Sequence, residues 1–344
     1  MRCSRTSCIP TESVLPALAL LAALSALLSL CLGAVPVAPG EVLAALLGRG
    51  SGVSAQIVLL ARLPRTCGCL LAGAALAASG TIIQGVLGNP LAAPNVIGVN
   101  AGAGLLTALC AALWPSRTEA APLAAFLGAL GGVLLVLFIA QRTGASRMTL
   151  VLAGVAVSGM FSAGIDAVLT FFPDALNGYT DFRVGGAANL SMARVAPASW
   201  AILAAFLLAL SLSGEMDVLL LGEETARSLG LPARRLRLVL LAAAAALAGA
   251  AVSFVGLLGF VGLIAPHIAR RLAGEDSSAR LLLAAALGGA ALLTLCDVLA
   301  RTLFAPYELP VGVVLSLLGG PFFLWLLVRQ RHGPGRRRKE AGHA

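Results

Sequence analysis

Apolar stretches about 20 residues long recur along almost the whole chain, and nothing else in the sequence restricts its fold as strongly. A helix needs about 20 apolar residues to cross about 30 Å of hydrocarbon. The stretches are rich in Ala, Leu and Gly and do not alternate with a period of two. They therefore fit spanning helices better than a barrel. Ten spans are predicted, at roughly 13–36, 64–83, 94–114, 121–141, 149–172, 196–213, 238–257, 259–273, 281–303 and 310–328. The eighth is short and interrupted by Gly259, Gly262 and Pro266. Only 11% of the 344 residues are charged and 59% are apolar, which excludes both disorder and a soluble enzyme.

The formal net charge is +9, carried by 23 Arg and a single Lys. The arginines sit at loop ends without interleaved aromatics, so they read as topology signals rather than a nucleic-acid surface. With the N-terminus inside, the inner side holds 17 basic residues and the outer side 7. That asymmetry places both termini in the cytoplasm. Residues 1–12 are then a cytoplasmic tail, 13–330 the transmembrane domain with a polar inner loop at 214–237, and 331–344 a basic cytoplasmic tail. The polar, Gly/Asn-rich stretch 174–194 reads as an outer loop. The first span is too long for a signal peptide and lacks a clean cleavage site, so it reads as a retained helix.

Arg62-Leu63-Pro64-Arg65 is echoed by Arg234-Arg235-Leu236-Arg237. Gly85, Gly88 and Pro94 are echoed by Gly256, Gly259 and Pro266. The copies face opposite sides, as in an inverted repeat of two five-helix halves; chance similarity between Ala/Gly-rich helices is the alternative. Most of the seven cysteines lie inside apolar runs, and Cys67 and Cys69 are too poorly spaced on a helix for a metal clip. The three histidines form no metal pattern. Lys339 is the only lysine, so no phosphate-binding Gly-x-x-x-x-Gly-Lys loop exists, and any ATP must be hydrolysed by another chain.

Several polar residues stand out against this background. Pro64 suits the first turn of a descending helix, which puts Arg62 and Arg65 at a helix N-terminus against the macrodipole. Docking of an acidic partner or snorkelling to headgroups would explain them. Gln84, Asn89, Pro90 and Pro94 break the apolar run where the chain turns on the inner side, a break that belongs inside protein. In the loop 214–237, Glu223 and Glu224 open a short helix that Gly230 and Pro232 end. Ala226 and Leu229 share a small apolar face, suited either to a partner's groove or to a solvated loop. Gly154, Ser158, Ser162 and Asp166 fall four apart on the fifth span. They either line a cavity or serve close packing, with Asp166 near the outer interface. Asp297 and Arg301, also four apart, can pair within their helix.

These motifs together resemble the FecCD-type permeases of ABC importers for iron–siderophore, haem and cobalamin. The resemblance rests on Arg62-x-Pro64-Arg65, Gln84, Asn89-Pro90-Leu91-Ala92-x-Pro94 and Gly98. It extends to residues 150–159, 221–232, 259–274 and 297–327. It implies an all-α membrane fold of about ten helices with type II importer architecture, working as a pair with an identical or paralogous permease. It implies an ABC ATPase dimer, contacted through Glu223, Glu224, Ala226, Leu229 and Gly230. It also implies a substrate-binding protein whose acidic residues dock on Arg62, Arg65 and Arg301. Gly154, Ser158, Ser162 and Asp166 would line the path, and Thr143 and Ser146 would lie near the inner gate. Gln84, Asn89, Pro90, Pro94 and Gly98 would be structural. No cofactor and no catalysis are expected on this chain, in a bacterial inner membrane. A ferric siderophore is the first choice of cargo, with haem or cobalamin as alternatives; an ion-coupled secondary transporter using Asp166 is the rival class. Phe182-Arg183-Val184-Gly185-Gly186 departs from the family's Trp-x-x-Gly-Ser at the outer gate.

Overall fold

The computed structural model describes residues 11–331 apart from 51, 144–146, 189 and 275. The expected tails at 1–10 and 332–344, and Ser146, lie outside the described residues. Fifteen α-helices follow one another among the described residues. They are α1 (Thr11–Cys31), α2 (Pro39–Leu46), α3 (Val53–Gln56), α4 (Leu63–Leu87), α5 (Val99–Leu113), α6 (Ala121–Arg142), α7 (Arg147–Phe171) and α8 (Ala175–Val184). They continue with α9 (Met192–Ser211), α10 (Ser213–Leu220), α11 (Glu223–Ser228), α12 (Ala233–Val255), α13 (Val261–Ala273), α14 (Ser278–Thr302) and α15 (Val311–Arg331). Eight helical stretches are long and apolar enough to cross a membrane. The other two predicted spans are the shorter α5, of 15 residues, and α13, of 13.

Both short helices are entered through non-helical chain. Gly88 ends α4 in the left-handed region at φ 59°, and Asn89 Oδ1 accepts the Leu91 amide at 3.0 Å to turn the chain. Pro94 opens a 3₁₀ turn, and Gly98 at φ 86° starts α5. On the other side Gly256 ends α12 at φ 75°, and Phe260 takes φ 66° before α13. The exposed backbone is bonded within the protein, as when the Leu257 amide donates to Phe182 O at 2.9 Å.

Three expectations need correction. Pro64 stands in the first turn of α4, as expected, but that turn is not a free helix N-terminus. Helical chain runs on from Val53 to Leu87, with a π-helical stretch at Ile57–Arg62 that ends two residues before the proline. A proline inside a helix loses one hydrogen bond and clashes with the carbonyl four residues back, and the wider π turn absorbs that conflict. Residues 174–194 are not all loop, because α8 folds there with Ala175 and Tyr179 buried. The loop 214–237 carries α10 as well as the expected short helix.

The most buried spans are α4, α12 and α14. α4 packs mainly on α14 and next on α12, and α12 packs mainly on α4 and next on α6. Ser79 Oγ donates to Ala244 O at 2.7 Å, and Gly68 lies against Phe254, so α4 and α12 run antiparallel. Within each half the short helix packs on the span after it, α5 on α6 and α13 on α14. This exchange of partners between halves fits the expected inverted repeat. Close approach requires glycine at several crossings, two of them on α4. A Cβ on Gly73 would meet the Gly289 carbonyl, and one on Gly80 would meet that of Gly262.

Candidate functional site

One end of the bundle gathers the arginines singled out by the sequence, and all three are buried: Arg62 at 5% exposure, Arg65 at 8% and Arg301 at 3%. The helix α1 stops at Cys31, leaving its last carbonyls without helical partners. Arg62 Nη1 donates to Leu30 O and Cys31 O, both at 2.8 Å, and Nη2 donates to Val35 O. Arg301 Nη2 donates to Ser29 O at 2.6 Å and Ser29 Oγ at 2.7 Å. Ser29 Oγ also bonds Thr66 Oγ1 at 2.7 Å. Two arginines from distant helices thus cap the end of α1, where a cation is also favoured by the macrodipole.

Arg65 is held differently. Its Nε donates to both Asp297 carboxylate oxygens at 3.0 Å, and Nη2 lies 3.0 Å from Oδ1. Nη1 donates to Glu308 Oε2 at 2.7 Å. The expected pairing of Asp297 with Arg301 is the looser contact, at 3.6 Å. Asp297 is fully buried and holds α4 to α14. A charge-assisted, forked contact of this kind suits a low-dielectric interior. The arginines expected to receive an acidic partner are therefore engaged inside the chain. Glu308, which sequence reasoning missed, follows the ninth span in Tyr307-Glu308-Leu309-Pro310; an acid beside a span end was the signal available.

A cavity of about 580 Å³ opens at this end. The C-terminal ends of α5 and α12, α8, residues 184–188 and 190 and residues 308–311 wall it, and Arg65 and Glu308 face it. Phe182–Gly186 forms part of that wall. Gly186 N donates to Val255 O at 2.8 Å, and a Cβ on Gly312 would meet Val184 O.

The opposite end carries α11. Gly222 at φ 118° admits the helix and Gly230 at φ 79° ends it. Glu223 pairs with Arg227 at 2.6 Å and with the buried Arg237 of α12 at 3.1 Å. The Arg237 hydrogen bond, helped by the nearby Arg227, holds the Glu223 carboxyl below its ordinary range. Ala226 is fully buried in the chain's own core, so it does not share an exposed face with Leu229 as expected. The helix ends at Ser228, and Leu229 turns outward at 64% exposure. Glu224, Leu229 and Leu221 are among the exposed residues here, with Thr225, Arg227 and Ser228. Beside α11, Asp217 of α10 accepts the Ser278 amide at 2.8 Å and caps α14.

The stripe on α7 divides. Gly154 is buried against the Val96 carbonyl, Ser158 is half-buried with Oγ lacking a hydrogen-bond partner, and Ser162 and Asp166 are exposed. Four-residue steps advance 400°, so such a stripe drifts about 40° per step across the helix surface. Thr143 is exposed and bonds Ile139 O at 2.9 Å. Gln84 bonds Gly262 O at 3.2 Å and receives Arg270, tying α4 to α13. Pro94 is buried.

A helical bundle with two interrupted spans, buried ion pairs at one end and a short exposed helix at the other is a multi-pass membrane permease in build. The chain belongs to the FecCD transport family, which matches residues 20–329. It is 38% identical over 311 residues to the Fe(3+)-citrate import system permease protein YfmE of Bacillus subtilis (strain 168), covering 90% of this chain and 93% of that one. It is 40% identical over 284 residues to the hemin transport system permease protein HmuU of Yersinia pestis, covering 80% and 84%. A solved inward-facing structure of an ABC transporter assigned to the metal-chelate type superimposes with TM-score 0.81 at 28% identity, covering 93% of this chain and 99% of that one.

Proposed function

We propose that this chain is the permease subunit of a bacterial inner-membrane ABC importer for iron complexes, with a ferric siderophore as the first choice of cargo. The observation that carries this reading is the FecCD match over residues 20–329, combined with relatives named for ferric citrate and hemin. The α11 end faces the cytoplasm, as do both termini, which agrees with the excess of basic residues on that side. A separate ATPase dimer docks there on Glu224, Leu229 and Leu221. A binding protein docks at the opposite end, around Arg65 and the cavity beside it. Two permeases, identical or paralogous, enclose the path along the exposed faces of α7, including Ser162 and Asp166. ATP-driven closure of the ATPases moves α11 and, through Arg237, α12. Cargo then crosses by alternating access, with no covalent chemistry on this chain.

The test is uptake of labelled ferric siderophore into proteoliposomes holding this chain with its neighbouring ATPase and binding protein. Uptake that needs both ATP and the binding protein is expected. An intact complex without siderophore uptake moves the cargo to haem or cobalamin. Failure to form any complex, with uptake driven by an ion gradient, makes the chain a secondary transporter.

A further inference from the structure

The two carboxylates on Arg65 are of different standing. Asp297 is fully buried, comes from a long packed helix and occupies the Nε side of the guanidinium. Glu308 occupies Nη1 at 2.7 Å, yet its side chain keeps 39% of its exposure. It belongs to the connection between α14 and α15, next to Tyr307 at 81% exposure. Withdrawal of Glu308 is the easier of the two, because its carboxylate already reaches water. Withdrawal of Asp297 would strand buried charge.

The cavity sits on the Glu308 side of the pair. Its charged lining consists of Arg65, Arg117, Arg194, Asp174, Asp181 and Glu308. These formal charges cancel with Glu308 in place and leave +1 without it. Behind the wall, Arg65 and Arg301 would then share Asp297 alone. An anion on Nη1 restores that balance, and an incoming carboxylate could serve as well as Glu308.

We propose that Glu308 is a resident carboxylate that masks Arg65 until an acidic side chain of the docking protein enters the cavity and replaces it. The exchange keeps the buried charge balanced at every stage and reconciles a buried arginine with a docking role. Glu308 thereby sets the affinity: the partner must outcompete an internal carboxylate, so binding stays weak enough for release. This inference rests on the docking end assigned above.

The experiment measures the affinity of the binding protein encoded beside this chain for the full-length permease, assembled with its ATPase in nanodiscs, at low and high salt. Glu308→Gln should tighten binding about tenfold at low salt, mainly by slowing release, with the gain shrinking at high salt. A structural role alone would leave affinity unchanged or weaken it. Glu308→Asp, which keeps the charge, should stay near wild type. Unchanged or weaker binding by a well-folded Glu308→Gln, with wild type binding normally, overturns the masking role and leaves the docking end standing. If Glu308→Gln fails to fold, Glu308→Ala in the same assay must show the gain or the proposal falls. No binding by wild type at either salt removes the docking reading and the masking role with it.

Discussion

The two ends of the bundle carry charge in opposite ways. At one end Arg62, Arg65, Arg301 and Asp297 are buried, and their partners lie on α1, α4, α14 and the connection to α15. At the other, the ion pair of Glu223 with Arg237 joins the short α11 to α12 while most of α11 remains exposed. The first arrangement locks helices that must not separate. The second leaves a small element attached by few contacts and able to shift without disturbing the core. A transporter needs both kinds of end, since one helix set must keep its geometry while another responds to a partner.

The largest expected effect breaks the locked end. Asp297→Ala leaves Arg65 and Arg301 without their buried counter-charge, and removing one member of a buried pair costs about 3–5 kcal/mol. Thermal unfolding of the purified chain in detergent should show that loss. Glu308→Gln, half-exposed on the same arginine, should cost about 0–1 kcal/mol in the same measurement. Equal losses from the two substitutions would contradict the division of Arg65 between a fixed and an exchangeable carboxylate.

This contrast also marks what could be read from the sequence. All ten predicted spans coincide with helices, because an apolar run is a local signal that the bilayer length converts directly into structure. The break at Asn89 to Pro94 was legible for the same reason, but of the interruptions expected in the eighth span only Gly259 lies outside the helix, since α13 runs on through Gly262 and Pro266. The partners of the arginines were not. Arg65 meets Asp297 across 232 residues and Arg301 meets Ser29 across 272, separations that no local pattern reports. Two local rules also failed for local reasons. Proline favours a helix start, but at Pro64 a preceding π turn made room for it inside a helix. Residues three apart share a helical face, but Leu229 lies beyond the last turn, at φ −83° and ψ 6°, so it parts from Ala226. The helix α8 went unseen because its apolar content is low and only Ala175 and Tyr179 anchor it.

A middle-sized effect concerns pH and belongs to the exposed end. Glu223 has a lowered pKa in the folded chain, so its pairing stabilises α11 fully above the unfolded Glu value of about 4.3. That contribution fades as pH falls through the folded value. The attachment of α11 should therefore be constant from about pH 6 to 8 and weaken only in acid. Hydrogen exchange over 223–231, compared between wild type and Glu223→Gln, should show a protection difference at neutral pH that closes at low pH. A difference that persists unchanged into acid would show that the pair does not hold α11.

The smallest expected effect on stability is the most informative about partners. Leu229 is 64% exposed and Ala226 is fully buried, although the sequence grouped them as one face. A Trp at position 226 would overfill the core beneath α11 and could not separate folding from docking. Leu229→Asp alters a largely exposed side chain, so its effect on stability should stay within the range of ordinary surface substitutions, about ±0.5 kcal/mol. Its capture of the ATPase should nevertheless collapse, because an exposed Leu supplies the apolar contact that a partner's groove needs and a carboxylate there would be desolvated without a partner. Pulldown from detergent with the two proteins at equal concentration reads the loss directly. Retained capture by Leu229→Asp would move the ATPase contact off this surface and toward Glu224 alone; lost capture with unchanged unfolding would establish that the loosely attached end of the bundle is exposed because a second protein covers it.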